Sequence, residues 1–144
     1  MINIKEQTHF FCDMTKQINS IYEDYARSLG LTYTSLYILH MIALTENCTQ
    51  KILAEQMFIP KQTINSIITQ FRKQGWIELQ EIPEDKRHKT LHLTSQGKQF
   101  GAKVFPPIEI AEQKSLAQFS KEERQTFLRL MKKYVTNFAS ELNH

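Results

Sequence analysis

The sequence predicts a mainly α-helical protein carrying one small β-hairpin. Three observations predict it. Only four glycines and four prolines punctuate 144 residues, which favours long uninterrupted helices. Apolar residues recur at three- and four-residue steps through most of the chain. Residues 77–94 instead alternate apolar and polar with period two on either side of Pro83, the pattern of two paired strands.

The first helix is expected over residues 5–29. Phe10, Phe11, Met14, Ile18, Ile21, Tyr22, Tyr25 and Leu29 mark its apolar stripe, and Gly30 stops it. Thr32 or Thr34 caps a second helix. Leu36, Tyr37, Leu39, His40, Ile42, Ala43 and Leu44 make that helix apolar nearly all round, so it should be the central buried element. A short third helix covers residues 49–57, with Thr49 as cap and Ile52, Leu53 and Met57 inward. Phe58-Ile59-Pro60 turns the chain into a fourth helix from Lys61 to Gln74, ended by Gly75. Ile64, Ile67, Ile68 and Phe71 form its stripe. Ile77-Glu78-Leu79-Gln80 and Thr90-Leu91-His92-Leu93 are the hairpin arms. A fifth helix follows Thr94 and should bend or break at Pro106-Pro107, because proline lacks the helix donor and clashes with the preceding turn. Ser120-Lys121-Glu122-Glu123 is a capping box for a final helix. That helix is expected to bury Phe127, Leu128, Met131, Tyr134, Val135, Phe138 and Leu142.

Composition bounds the function. An apolar content of 41% with 23% charged residues is that of a folded chain, and the length suits one domain with one core. A net charge of +3 is too mild to imply a polyanionic partner unless the cations are clustered. No apolar run is long enough to span a bilayer and residues 1–8 lack a signal-peptide core, so a soluble cytoplasmic protein without a membrane partner is expected. Cys12 and Cys48 make neither a disulfide framework nor a metal spacing and should be free thiols in a reducing compartment. There is no phosphate-cradling glycine loop, nucleophile elbow or zincin helix. Neither catalysis nor a cofactor is expected.

The middle of the chain clusters its cations and its hydrogen-bonding groups. Helix, three-residue turn, helix and hairpin is winged helix-turn-helix order. Turning the fourth helix by roughly 100° per residue puts Gln62, Ser66, Thr69 and Lys73 opposite the apolar stripe, flanked by Asn65 and Gln70. No Asp or Glu occurs between Glu55 and Glu78, as a surface that meets phosphates requires. Gln and Asn can pair with adenine edges, and Ser and Thr with several bases. Lys61, Gln62, Thr63, Asn65 and Ser66 should lie deepest in a groove, since recognition helices insert their N-terminal end. Lys73 should touch phosphate. Thr49 and Gln50 open the preceding helix, whose free amides can take another phosphate. Read alone, this helix would also fit an ordinary solvated face.

The hairpin weighs against that alternative. Asp85, Lys86, Arg87, His88 and Lys89 sit at its expected tip, and a projecting cationic loop suits a DNA backbone or minor groove. The run Asp85-Lys86-Arg87, followed by Leu93-Thr94 and Gly97, resembles the wing of MarR-type winged helix-turn-helix regulators. The resemblance is strongest from Leu31 through Gly97. It implies that Arg87 enters the minor groove and that Asp85 steadies its guanidinium, a pairing suited to the fork of arginine. Lys86, His88 and Lys89 would add phosphate contacts. Asp85 also fits a turn-initiating Asx residue.

The resemblance further implies a domain plan: residues 1–30 for dimerisation, 31–97 for winged helix-turn-helix DNA binding, 98–144 for dimerisation again. The expected partners are double-stranded DNA and a second copy. A two-fold dimer fits a palindromic operator, and the expected role is a repressor released by a small aromatic or amphipathic effector. Tyr22, Tyr25, Tyr33, Tyr37 and His40 are the candidate effector residues, although aromatics at helical spacing more often describe a core. One alternative is oxidation sensing at Cys12, which lies about two turns too far from Tyr33 and beside Asp13. Another is a winged helix used only for protein contact. His9, His40, His88, His92 and His144 are too scattered for a metal site.

Overall fold

The computed structural model describes residues 3–142. In chain order the elements are α1 (Ile4–Ser28), α2 (Tyr33–Leu44), α3 (Gln50–Met57), α4 (Lys61–Lys73), β1 (Ile77–Ile82), β2 (Asp85–Leu93), α5 (Ser95–Ala117) and α6 (Lys121–Glu141). The fold class expected from the sequence, six helices and one two-stranded antiparallel sheet, is the one observed.

Local chemistry starts and stops these helices. Asn3 and Glu6 form a reciprocal capping box on α1, and Ser120 and Glu123 form the expected one on α6. Thr32, not Thr34, caps α2 by accepting from the Ser35 N–H. Thr49 caps α3 through the Ile52 N–H. After α1 the chain reverses at Gly30, whose φ of +74° is costly for any residue with a side chain.

The core is drawn from α2, α3, α4 and the hairpin, with α2 against β2 and α4 against α3 and β1. Leu36, Ile38, Leu39 and Ile42 of α2 are buried, as are Leu53, Ile64, Ile68, Phe71, Ile77 and Leu91. Helix α2 supplies much of this core, as expected, but its apolar surface is not covered on every side. Tyr37 is 41% exposed and Leu44 67% exposed.

Two further expectations are corrected. Helix α5 is not broken: it continues through Pro106-Pro107, because the proline φ is itself helical and only two donors are lost. Those lost donors would have served the carbonyls of Ala102 and Lys103, and the chain divides into two compact units between the same two residues. In the second unit, Phe119 meets Phe127 edge-on at 5.6 Å, and Tyr134 stacks on Phe138 at 5.9 Å. The apolar stripe of α6 is not buried. Phe127, Leu128, Tyr134, Val135, Phe138 and Leu142 are all exposed. On α1, Phe10, Ile18 and Ile21 are likewise exposed, while Phe11, Met14, Tyr22, Tyr25 and Leu29 are half-buried. Periodicity identifies an apolar face but not what covers it. No helix among the described residues is long and apolar enough to cross a membrane.

Candidate nucleic-acid interface

Helix α4 is anchored by one face and offers the other. Ile64, Ile68 and Phe71 are buried and Ile67 is half-buried, which fixes the rotation of the helix about its axis. Lys61, Gln62, Thr63, Asn65, Ser66, Thr69, Gln70 and Lys73 are all exposed, as the helical projection expects. Their availability differs. The Thr69 hydroxyl donates to the Asn65 carbonyl at 2.8 Å, so it is turned along its own helix. The Gln50 amide donates to Asn65 Oδ1 at 3.4 Å, joining the start of α3 to the exposed face of α4. Thr49 is half-buried, and its hydroxyl is occupied by the cap of α3. Lys61, Gln62, Thr63 and Ser66 occupy the opening turns of α4 without any acidic neighbour on that helix. A leading helix end with donor side chains and no carboxylate suits a polyanion.

The hairpin follows directly from α4. Gly75 takes a φ of +77°, and Trp76 packs between Phe71 and Phe100, at ring-centre distances of 5.7 and 4.2 Å. Thr94 closes the base of the hairpin. Its hydroxyl donates to the Gly75 carbonyl at 2.5 Å and accepts from the Gly97 N–H at 3.0 Å. Gly97 lies so close to the Trp76 carbonyl that a Cβ there would collide with it. The Leu91 N–H also donates to the Cys48 carbonyl at 2.7 Å, tying the hairpin to the segment before α3. This tie has no signature in the sequence, because a single backbone pairing carries no side-chain signal.

The wing departs from expectation in two ways. First, its tip is Pro83-Glu84, and Asp85 to Lys89 belong to β2. The cations are on the arm, not in the turn. Register explains how they are still presented. Glu81 pairs with Lys89 and Ile82 with Asp85, so β2 advances four residues while β1 advances one. Lys86, Arg87 and His88 therefore bulge from the ladder without partners on β1, and all are exposed. A bulge of this kind re-aims side chains away from the sheet. Second, Asp85 does not hold the Arg87 guanidinium. Its Oδ1 accepts from the Arg87 backbone N–H at 3.0 Å, and its Oδ2 lies 2.7 Å from His88 Nδ1. The Asx turn that the sequence also fits is present: Asp85 engages Arg87 through the backbone. The His88 contact, followed by the Arg87 N–H, holds the Asp85 carboxyl below the usual carboxylate range.

The candidate effector residues are partly assembled. Tyr22 of α1 stacks on Tyr33 at 4.5 Å, and Tyr33 stacks on Tyr37 at 5.9 Å. Tyr25 and His40 are half-buried, and burial pushes the Tyr25 hydroxyl above its usual range. A cleft of about 800 Å³ opens nearby, but Glu23, Arg27, Thr32, Ser35, Phe71 and Lys73 help to line it and none of the tyrosines does. Cys12 lies ten residues before Tyr22 on the same helix, about 15 Å along its axis, which separates it from the tyrosine stack. Cys48 is buried, and burial pushes its thiol up to about 11, the opposite of an activated cysteine. Among the described residues no His, Cys, Asp or Glu cluster could hold a metal; His144 lies outside them.

Comparison with known proteins finds likenesses to MarR-type proteins in both sequence and fold. The model of the MarR family matches residues 29–88. The HTH-type transcriptional regulator SarZ of Staphylococcus epidermidis is 29% identical over 94 residues, which are 65% of this chain and 64% of SarZ. Among solved structures, the MarR family regulator NMB1585 of Neisseria meningitidis superimposes with a TM-score of 0.79 at 22% identity, over 99% of this chain and 98% of that one. Staphylococcus aureus MepR, solved as a DNA complex, superimposes with a TM-score of 0.77 at 15% identity, over 96% of this chain and 99% of MepR. At these identities the structural likenesses establish the fold.

Proposed function

We propose that this chain is a MarR-type winged-helix protein and, as such, a sequence-specific DNA-binding transcriptional regulator without catalytic activity. One observation carries the proposal. The compact unit that holds α4 offers an exposed, acid-free donor face on that helix, and Lys86-Arg87-His88 bulge from the adjoining hairpin. The donor face suits the edges of bases in a major groove, and Arg87 suits the minor groove or its phosphates. A likeness to MepR, whose structure was solved on DNA, supports the same use of the fold.

The finer reading is a homodimer on a palindromic operator, acting as a repressor in the cytoplasm. The exposed apolar residues of α1 and α6 favour the dimer, since such faces seldom stay uncovered. Two-fold symmetry in the protein then requires two-fold symmetry in the site. The stack of Tyr22, Tyr33 and Tyr37 favours a small aromatic effector, because a ring can extend or displace such a stack.

Selection of bound fragments from random duplex DNA tests the proposal. The expected result is enrichment of one inverted repeat by the natural chain and its loss with Arg87→Glu. A chain that enriches nothing, or an Arg87→Glu variant that enriches the same repeat equally well, would overturn it.

A further inference from the structure

The contact between Asp85 and His88 has a consequence for the charge that the wing presents. An ionised carboxylate can only accept hydrogen bonds. With Oδ2 at 2.7 Å, His88 Nδ1 must therefore carry the proton, which leaves Nε2 as the outward nitrogen. While the ring is neutral, Nε2 is a lone pair and repels phosphate oxygen. Once the ring is protonated, Nε2 becomes a charged donor to the same oxygen. His88 sits in the bulge, unpaired on β1, and its side chain is 60% exposed.

Resting on the DNA-binding reading above, we propose that His88 is a proton-linked phosphate contact, oriented by Asp85, that makes duplex affinity rise as pH falls through the imidazole range. The hairpin's second imidazole, His92, is half-buried, and its Nε2 is engaged by the Thr90 hydroxyl at 2.7 Å. Lys86, Arg87 and Lys89 are the cations beside His88 on β2. Glu78, Glu81 and Glu84 are the carboxylates of β1 and the turn. Of these, Glu81 stands opposite Lys89 in the ladder, and Glu84 lies in the turn. Only an imidazole ordinarily changes charge between about pH 5 and 8. DNA supplies the field that draws the proton in, so uptake of up to one proton per wing accompanies binding.

The test is the dissociation constant for a labelled random-sequence duplex, measured at fixed salt at about pH 6 and pH 8. The natural chain is compared with His88→Gln, neutral throughout, and His88→Lys, charged throughout. The expected result for the natural chain is a gain of at least about threefold at the lower pH beyond that of His88→Gln, with a ceiling of about tenfold per pH unit for one proton. His88→Lys should bind tightly at both values. The remaining histidines are common to all three chains and cancel. If the natural chain and His88→Gln show the same pH dependence, or if His88→Lys binds no better than His88→Gln at the higher pH, the proposal is overturned. Failure of the natural chain to bind the duplex at either pH would instead refute the DNA-binding reading on which it rests.

Discussion

Gly97 lies against the carbonyl oxygen of Trp76 with no room for even a single carbon atom between them. This close approach seats the first turn of α5 against the residue that leads into β1. The neighbouring element is backbone, so it cannot step aside as a flexible side chain would. Gly97→Ala should destabilise the fold by about 1–3 kcal/mol, the usual cost of overpacking, towards the upper end. Chemical denaturation checks this. A loss under about 0.5 kcal/mol, within the range of an ordinary surface change, would mean that the junction is looser than the structure shows.

Thr94 shares that junction. Its hydroxyl joins Gly75 on one side and the first turn of α5 on the other. Thr94→Val keeps the shape, removes the cap and strips the Gly75 carbonyl of a donor. The expected loss is about 1–2 kcal/mol. Thr94→Ser should recover most of it, because the hydroxyl and not the methyl makes both bonds. Equal losses in the two variants would show that packing dominates.

Much of this junction is legible in the sequence, and its legibility has a cause. Gly75, Thr94 and Gly97 are residue types whose conformational or capping chemistry is visible one residue at a time. The stripe of α4 is legible too, since Ile64, Ile68 and Phe71 can share a face only in a helix. What the sequence does not display is set by register or by partners outside the local segment. Asp85 has two acceptor roles open to it, and only the four-for-one slip between β2 and β1 decides that it takes the Arg87 amide and His88. Tyr22 and Tyr33 meet because α1 and α2 pack together, which helical spacing does not encode. The apolar stripe of α6 is plain in the sequence, but its exposure is not.

The face of α4 should separate affinity from specificity. Gln62→Ala and Ser66→Ala remove groups that can read bases, so each should cost about 1–3 kcal/mol on the preferred operator and almost nothing on random duplex. Lys61→Ala and Lys73→Ala should weaken both kinds of DNA alike and lower the salt slope by about one for every phosphate left without its cation. Titrations at two salt concentrations distinguish the pairs. Uniform weakening by Gln62→Ala would rotate the proposed reading face away from that residue.

Asp85 gives the wing an acid limit, and the sign follows from the direction of its shift. Its folded-state carboxyl titrates below the usual range. The order it imposes on Arg87 is therefore fully present above the unfolded carboxylate value and is lost as pH falls through the lower, folded one. The Arg87 amide resonance should move in that acidic window, and Asp85→Asn should abolish the movement without unfolding the core. A natural chain whose Arg87 amide is unchanged down to the acid end of that window would show that the Asx turn does not persist in solution.

The exposed residues of α6 carry the last prediction. Val135 and Phe138 are 60% and 53% exposed, and they lie three residues apart, close to one face. If that face meets a second copy, a carboxylate there is buried without a partner. The pairing should then lose at least about 3 kcal/mol, roughly a hundredfold in dissociation constant. Val135→Asp and Phe138→Asp should each sediment as monomers at concentrations where the natural chain is a dimer. Their winged-helix unit should keep its helical content, because neither residue belongs to the buried core. A variant that still sediments as a dimer would place the interface elsewhere, with the exposed apolar residues of α1 as the next face to probe.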